Sequence, residues 1–393
     1  MKILSVNCGS SSLKFQAYEM PEEKVLIQGV FERIGLEESF YTIKVNGEKI
    51  KKEVALPNHE VAVECVAKEL LENKVVETLD EITGIGHRAV HGGDKFNQSV
   101  VVTEEVVKQL EDLIPLAPLH NPAGIIGIRA FEKIVPNAKA VAVFDTAFHQ
   151  TMDETSYLYS VPLEWYDKYG VRKYGFHGTS HKYVSMRMNE ILGRTDTKVI
   201  TCHIGSGGSI SAILNGKCID TSMGFTPNAG IMMGTRSGDI DYSMIPYIME
   251  TAQMSLKDVD NALNKQSGYA GISKGKSDAR DIEAGMLAGD KLCTLAQNMF
   301  VKRVIEYIAK YYVLLGGCDA LVFTAGLGER SIHTRKQIVD GLKALHIYLD
   351  EDKNNEMFAI EGCISSDDSE VLVYVIPTDE ELMIARDTYT FTK

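Results

Sequence analysis

An α/β fold made of two duplicated domains is predicted by three features of the sequence. A strand–turn–strand segment at residues 3–15, ILSVNCGSSSLKF, returns half a chain later, at residues 199–213, as VITCHIGSGGSISAI. Short apolar segments alternate with amphipathic segments of helical period in both halves. The length of 393 residues exceeds what one compact core usually organises. We therefore expect two α/β domains related by duplication.

The two repeated hairpins are candidate phosphate-binding elements. Their alignment places His203 on Asn7 and Ser206 on Ser10, and Lys14 follows the first turn. A turn of glycine and serine exposes N–H groups and hydroxyls that can hold phosphate oxygens. One such turn is more often an ordinary hairpin, but its repetition predicts a phosphorylated ligand held from two sides.

The first half contains elements in alternating order. The segment 140–149 is apolar and is expected to be a buried strand that brings Asp145 to its end. The other predicted elements are a strand at 24–34, a hairpin at 40–54 around an Asn-Gly turn, helices at 59–72, 104–113 and 124–134, and a strand at 82–90.

The second half repeats this alternation. Residues 172–181 lead into a helix for which Ser180 is the expected N-cap. Residues 221–242, dense in glycine and methionine, predict a functional loop. A helix over 292–315 should end at Gly316-Gly317, and a strand, a glycine turn and a helix follow over 320–331. The last predicted elements are a strand, an acidic turn and a helix over 371–388.

Composition limits the possible partners and compartment. The formal net charge of −13 argues against nucleic acid as a partner. Seven cysteines without a CxxC pair indicate free thiols in a reducing compartment. No apolar run approaches the length of a membrane span, and no signal-peptide pattern precedes the first hairpin. A cytoplasmic protein without membrane contact is expected.

Several charged residues are candidates for binding anions or metals. Arg88 and Arg236 lie in glycine-rich segments and could fork a carboxylate or phosphoryl group, although two surface arginines fit the spacing equally well. Asp145 and Glu380 could hold Mg²⁺, and the helix dipole offers a second explanation for Glu380. His177 and His181 are four residues apart, but a turn expected between them argues against a zinc site.

Nine motifs carry a resemblance that spans residues 6–388. They are VNCGSSSLKF, GHRAVHGG, LAPLHNP, VFDTAFH, YGFHGTSH, CHIGSGGS, GTRSGDID, FTAGLGE and EELMIARDT. In this order they resemble the acetokinase family, within the acetate and sugar kinase/Hsp70/actin superfamily. The resemblance implies two duplicated ribonuclease-H-like domains with an interdomain active-site cleft. It implies domains at 1–148 plus 383–393 (first hairpin and acetate side) and at 149–382 (nucleotide binding), with a homodimer formed through the second.

The resemblance also implies a role for individual positions. Arg88 would bind the substrate carboxylate, Asp145 would handle a proton or the metal, and His177 and Arg236 would stabilise the transition state. Asn7 and Glu380 would hold Mg²⁺, for which Mn²⁺ can substitute. The implied substrate pocket contains Val90, Leu119, His120, Phe176 and Pro227. The implied nucleotide site contains Ser10, Ser12, Lys14, His203, Ile204, Gly205, Ser206, Gly207, Asp278, Ala279, Arg280, Gly326, Leu327, Gly328, Glu329 and Arg330.

The family pattern is not matched everywhere near the nucleotide. Ser206 stands where the family usually has Asn, Ala325 where it often has Gly, and Thr334 where an aliphatic side chain is frequent. Asn228-Ala229 and Asp379 depart from it as well. These departures bear on the choice among ATP, GTP and pyrophosphate as donor, since none removes a charged group of the implied site.

The predicted activity is reversible, Mg²⁺-dependent transfer of the γ-phosphoryl group of ATP to acetate, giving acetyl phosphate and ADP by direct in-line transfer. Such chemistry demands positioning and charge neutralisation. A carboxylate acceptor is already ionised at neutral pH and needs no general base. We therefore expect Asp145 mainly to orient Mg²⁺-bound water or an arginine. The alternatives are a propionate or butyrate kinase on the same scaffold and a nucleotide-driven switch of the actin or Hsp70 type.

Overall fold

The computed structural model describes residues 1–118 and 120–393. They form two compact units, Met1–Phe148 with Asp379–Lys393, and His149–Thr378. We call these the first unit and the second unit. The chain returns to the first unit at Asp379, four residues before the boundary expected at 383. It does so because the whole C-terminal helix packs on the sheet of that unit.

The first unit is built on one mixed sheet of eight strands. Its strands are β1 Lys2–Cys8, β2 Ser12–Glu19, β3 Lys24–Glu32, β4 Phe40–Val45, β5 Glu48–Glu53, β6 Ile82–Ala89, β7 Val100–Val101 and β8 Lys139–Phe144. The sheet order is β5-β4-β3-β2-β1-β6-β8-β7. Strands β1 to β5 are successively antiparallel, whereas β1, β6 and β8 run parallel to one another.

Helices cover this sheet and enclose its core. They are α1 His59–Glu72, α2 Glu104–Asp112, α3 Asn121–Ile134 and the C-terminal helix Glu380–Thr392. The C-terminal helix packs on β1, β6 and β8. This approach requires glycine on β6, since a Cβ at Gly84 would lie 2.6 Å from Cγ2 of Thr392. The helix is thereby held with its first residue, Glu380, fixed relative to the sheet.

The second unit repeats the central part of this topology in a sheet of six strands. Its strands are β9 Lys198–Ile204, β10 Gly208–Leu214, β11 Lys217–Thr221, β12 Ala320–Thr324, β13 Gly362–Cys363 and β14 Leu372–Val375, in the order β11-β10-β9-β12-β14-β13. The antiparallel hairpin β9–β10 is followed across the sheet by β12 and β14, which run parallel to β9. The hairpin β1–β2 and the parallel strands β6 and β8 have the same arrangement in the first unit. The duplication expected from the hairpins is therefore present in the strand order of both sheets.

The helices of the second unit surround a core centred on one long helix. They are α4 Glu154–Tyr157, α5 Glu164–Tyr169, α6 Gly178–Leu192, α7 Met244–Thr251, α8 Leu256–Lys265, α9 Gly268–Ile272, α10 Ala279–Leu287, α11 Lys291–Leu315, α12 Ala325–Arg330, α13 Ile332–Asp340 and α14 Glu351–Glu356. We label the C-terminal helix of the first unit α15. Helix α11 packs on β9 and β10, and it ends at Gly316, which adopts φ 63°.

The other predicted strands and the long helices are confirmed, but the strand expected at 140–149 ends at Phe144 and a 3-10 helix follows at Ala147–Thr151. Three predicted helix starts are wrong. Helix α3 begins at Asn121 rather than 124, with a proline in its first turn, which tolerates it. Helix α6 begins at Gly178, so its N-cap is His177 and not Ser180. Helix α12 begins at Ala325, so the glycines expected in a turn lie inside the helix.

Candidate active site

Polar side chains gather where the parallel strands of the first sheet end. Asn7 is the penultimate residue of β1, Arg88 lies next to the end of β6, and Asp145 follows β8 directly. Because β1, β6 and β8 are parallel, their carboxyl ends meet at one edge of the sheet. In open α/β sheets this edge is where ligands bind.

Arg88 and Asp145 form a bidentate ion pair at this edge. Nε of Arg88 donates to Oδ1 of Asp145 at 2.9 Å, and Nη2 donates to Oδ2 at 2.5 Å. The Asp145 side chain is buried, whereas that of Arg88 is one-quarter exposed. Burial opposes the charge of Arg88, but Asp145 outweighs it and raises the pKa of Arg88 above its ordinary value. The arginine is thus permanently charged and oriented by a buried carboxylate.

Glu380, the first residue of α15, belongs to the same charged cluster. Burial raises its pKa to about 7, with further contributions from Asp145 and Glu381, while Arg88 and Lys14 act in the opposite direction. Burial is thus the largest cause of the raised pKa, and Arg88 is the strongest charged neighbour that opposes it. A cation close to Glu380 would favour its ionised form.

The first hairpin turn borders this edge. N–H of Gly9 donates to the carbonyl of Ser12 at 2.8 Å, which closes the turn. Ser10 and Lys14 are exposed and Ser12 is partly buried. Lys14 lies opposite Asn7 in the β1–β2 register. The exposed hydroxyl and ammonium groups leave the turn open to an anion.

The residues expected around a substrate methyl group belong to both units. Val90 follows β6 in the first unit and is partly buried, and His120 is exposed at the N-cap of α3. Phe176, buried, and Pro227, partly buried, lie in the second unit. Leu119 lies outside the described residues.

In the second unit, three of the predicted residues meet at the second hairpin turn. A Cβ built on Gly207 would lie 3.4 Å from Nη1 of Arg236 and 3.6 Å from Nε2 of His177. The ring of His177 stacks on that of His203 with centroids 4.1 Å apart. Any larger residue at 207 would fill the space between the guanidinium and the imidazole.

Arg236 lies in the segment between β11 and α7, which is irregular as predicted. Its Nη1 donates to the carbonyl of Pro227 at 2.9 Å. Burial lowers the pKa of Arg236. Asp239 holds the loop at two points. Its Oδ1 accepts from N–H of Gly230, in the same loop, at 2.8 Å, and its Oδ2 accepts from the hydroxyl of Tyr307 on α11. The loop that carries Arg236 is therefore held in place by hydrogen bonds.

A cavity of about 620 Å³ in the second unit brings together residues from three predicted nucleotide-binding stretches. This volume is typical of a small-molecule site. The stretches contribute Gly205 and Ser206, Asp278, Ala279 and Arg280, and Gly326, Leu327 and Arg330. His203, Ile204, Gly207, Gly328 and Glu329 are outside this lining.

Helix α12 is held beneath the cavity by a buried arginine that sequence reasoning missed. Arg335 donates to the carbonyls of Gly328, Asn354 and Met357 and to Oδ1 of Asn354. Burial lowers its pKa to about 10. Glu329 accepts from N–H of Thr378 at 3.1 Å. Gly328 and Glu329 therefore anchor α12 to neighbouring segments of the second unit.

Other cavity residues were also not predicted. Glu283 accepts from the Ser331 hydroxyl at 2.5 Å, and Phe358 lies beside Arg330, with 5.9 Å between the ring centroid and the guanidinium carbon. All four line the cavity. The amphipathic period of α10 was a sequence signal that could have pointed to Glu283. No sequence pattern indicates that Phe358 lines the same cavity.

Comparison with known proteins identifies the family. The model of the acetokinase family matches residues 2–386. The chain belongs to the acetokinase family. A protein from Bacillus cytotoxicus named acetate kinase is 55% identical over 388 residues, covering 98% of each chain. A Bacillus cereus protein of the same name is 54% identical with the same coverage.

Solved structures of this family share the fold. The acetate kinase of Porphyromonas gingivalis matches with a TM-score of 0.94 and 46% identity over the whole of both chains. A propionate kinase from Francisella tularensis matches with a TM-score of 0.94 and 42% identity over 99% of both chains. As a member of the acetokinase family, the chain is a phosphotransferase with a carboxyl group as acceptor.

Proposed function

We propose that this acetokinase-family enzyme transfers the γ-phosphoryl group of ATP to acetate, reversibly, giving acetyl phosphate and ADP. The observation that carries the proposal is the oriented guanidinium of Arg88 on buried Asp145, in a family of carboxyl-acceptor kinases. The relatives named acetate kinase, at up to 55% identity over nearly the whole chain, support acetate as the acceptor.

Each unit supplies part of the chemistry in this proposal. Arg88, in the first unit, binds the acetate carboxylate. The second unit binds the nucleotide in its cavity, next to the hairpin turn at Gly205 and Ser206.

The transferred phosphoryl group is stabilised by charge in this mechanism. Arg236 and Nε2 of His177, both beside Gly207, neutralise charge on the group as it moves in line from nucleotide to carboxylate. Acetate is already ionised, so Asp145 acts by holding Arg88 and not as a general base.

Asn7, Glu380 and Asp145 offer the hard oxygen donors that Mg²⁺ prefers. Among the described residues no three His, Cys, Asp or Glu side chains cluster as a metal cage. Mg²⁺ is usually held by one or two carboxylates together with water and substrate phosphates. Bound there, Mg²⁺ or Mn²⁺ would neutralise phosphate charge.

Propionate is the second candidate acceptor, because one matching structure is that of a propionate kinase. A single methylene in an apolar pocket changes discrimination by only about 1–3 kcal/mol. The higher identity to proteins named acetate kinase favours acetate.

We also propose a homodimer and a cytoplasmic location. The second unit exposes large apolar side chains on and before α7 and α8, namely Tyr242, Met244, Tyr247 and Leu256. A surface of this kind favours contact with a second copy. All seven cysteines are free thiols, which suits a reducing compartment. No helix in the described part of the chain has the length and apolarity needed to cross a membrane.

Hydroxylamine trapping tests the proposal. Purified protein is incubated with ATP, Mg²⁺ and, in turn, acetate, propionate and butyrate, and the hydroxamate formed from the acyl phosphate is measured. The largest kcat/KM is expected for acetate. A larger value for a longer acid would change the substrate, and nucleotide binding without hydroxamate from any acid would support a nucleotide-driven switch instead.

A further inference from the structure

A chain of hydroxyl and imidazole groups lies behind His177 in the second unit. Nδ1 of His177 is 2.9 Å from the hydroxyl of Ser209, and Nε2 of His181 is 2.7 Å from the same hydroxyl. Nδ1 of His181 is in turn 2.6 Å from the hydroxyl of Thr201. Ser209, His181 and Thr201 are fully buried. The Ser209 hydroxyl therefore bonds to both rings. It has one proton, so it donates to one ring and accepts from the other.

The direction of this chain is set at its inner end. Within the described part of the chain, the Thr201 hydroxyl has His181 as its one hydrogen-bond partner. If Thr201 accepted from His181, its own proton would be buried without an acceptor, whereas an oxygen with an unused lone pair is tolerated. Thr201 therefore donates to Nδ1 of His181.

His181 passes this direction on to Ser209. Burial, together with the neighbouring His149 and His203, places the pKa of His181 well below its ordinary value, so the ring is neutral and carries one proton. With Nδ1 accepting from Thr201, that proton is on Nε2 and is donated to the oxygen of Ser209. The Ser209 proton is then free for Nδ1 of His177.

We propose that Ser209 is a positioning residue that holds His177 as the Nε2–H tautomer. Its hydroxyl donates to Nδ1 of His177, which leaves the ring proton on the opposite nitrogen. That nitrogen faces the space beside Gly207 that Nη1 of Arg236 also borders. His177 itself adopts φ 58° immediately before the first turn of α6.

The tautomer decides what His177 can contribute to the reaction. This inference rests on the proposed function, in which phosphoryl oxygens lie beside Arg236 and His177. An Nε2–H group donates a hydrogen bond to such an oxygen, whereas the other tautomer presents a lone pair that repels it. Ser209 would therefore act on the rate of transfer and less on the binding of either substrate.

Nitrogen NMR reads the tautomer directly and needs no substrate. The full-length protein is labelled with ¹⁵N in its histidine rings, and the His177 signals are assigned by their loss in His177→Gln. The expected wild-type spectrum shows protonated Nε2 and unprotonated Nδ1 for His177. A protonated Nδ1 in the wild type would overturn the proposal without any variant.

Three variants test the role of the hydroxyl. Ser209→Ala should give a mixture of His177 tautomers and reduce kcat by about 10- to 100-fold, with the KM values for acetate and ATP within about twofold. Ser209→Thr retains a hydroxyl and should retain the tautomer and most of kcat. Ser211→Ala removes another buried hydroxyl of β10, one that bonds Thr221 instead, and should alter neither.

The outcomes separate this inference from the proposed function. Unchanged tautomer and kcat in Ser209→Ala would overturn the role of Ser209 even if acetyl phosphate is formed. An absence of acetyl phosphate in the wild type would refute the proposed function, while the NMR result would still report whether Ser209 sets the tautomer. If Ser209→Ala does not fold, the wild-type and Ser209→Thr spectra decide.

Discussion

The pairing of Arg88 with Asp145 indicates how a carboxylate can serve a reaction that needs no general base. Asp145→Asn removes the negative charge and one of the two acceptors that orient the guanidinium. We expect KM for acetate to rise about tenfold, the loss of about 1.4 kcal/mol, with little change in the shape of the pH profile. Steady-state kinetics at several pH values and Mg²⁺ concentrations measure this. Asp94→Asn, the same substitution at an exposed aspartate of the same unit, is the control. Recovery of kcat at high pH but not with added Mg²⁺ would instead make Asp145 a proton acceptor.

A buried carboxylate in the first unit makes stability depend on pH. Glu69 accepts from Tyr41 at 2.6 Å, Lys52 at 2.5 Å and Asn73 at 3.0 Å. Burial opposes its ionisation, but these hydrogen bonds prevail and lower its pKa below the ordinary value of 4.5. Its contribution to the free energy of unfolding is therefore full above about pH 4.5 and is lost as the pH falls through the lower folded-state pKa. Glu69→Gln should cost about 1–3 kcal/mol at neutral pH and flatten this acid dependence in urea titrations. Equal acid dependence in both proteins would contradict this assignment, and Glu60→Gln, an exposed position on the same helix, should leave it unchanged.

At the scale of elements, helix α12 begins with a residue in an unfavourable conformation. Ala325 adopts φ 63°, in the left-handed region that costs a residue with a Cβ about 1–2 kcal/mol. Ala325→Gly relieves this strain, while glycine entropy and the lost methyl group cost a similar amount. The expected change in the free energy of unfolding is below about 0.5 kcal/mol, whereas Ala296→Gly inside α11 should cost about 1 kcal/mol or more. Chemical denaturation compares the two variants. Equal losses at both positions would mean that the backbone at 325 is unstrained.

The same elements show what sequence reasoning could reach. The hairpins were predictable because a Gly/Ser turn between alternating apolar residues is a local signal, and the repeat located the second one. The start of α6 was not, because the left-handed backbone of His177 has no marker in the sequence. Sequence reasoning missed Ser209, Arg335 and Phe358 for a different reason. Each contacts a partner that is distant in sequence, and no local pattern indicates such a contact. The sequence therefore indicated candidate charged residues for the site, whereas their supporting contacts depended on tertiary structure.

At the scale of the whole molecule, the cavity proposed for the nucleotide and the arginine proposed for the acceptor carboxylate belong to different units of the chain. The second unit is one continuous segment with its own core, and the described residues that line its cavity belong to it. Arg88, Asp145 and Glu380 all belong to the first unit. We expect residues 149–378, expressed alone, to fold and bind ADP with a Kd within about tenfold of the full chain, because at most about 1.4 kcal/mol of contacts would be lost. The segment should form no acetyl phosphate.

Calorimetric titration and the shift of Tm with ADP concentration measure this binding, since a ligand of the folded state raises its stability by mass action. The matched control is the same segment carrying Arg335→Met, which leaves the carbonyl of Gly328 without its buried donor and should weaken or abolish both folding and binding. A folded segment that does not bind ADP would mean that residues of the first unit, foremost Lys14 and the Ser10–Ser12 turn, supply most of the affinity for the phosphates. The Lys14→Ala variant of the full chain would then lose ADP binding to the same extent as the isolated segment.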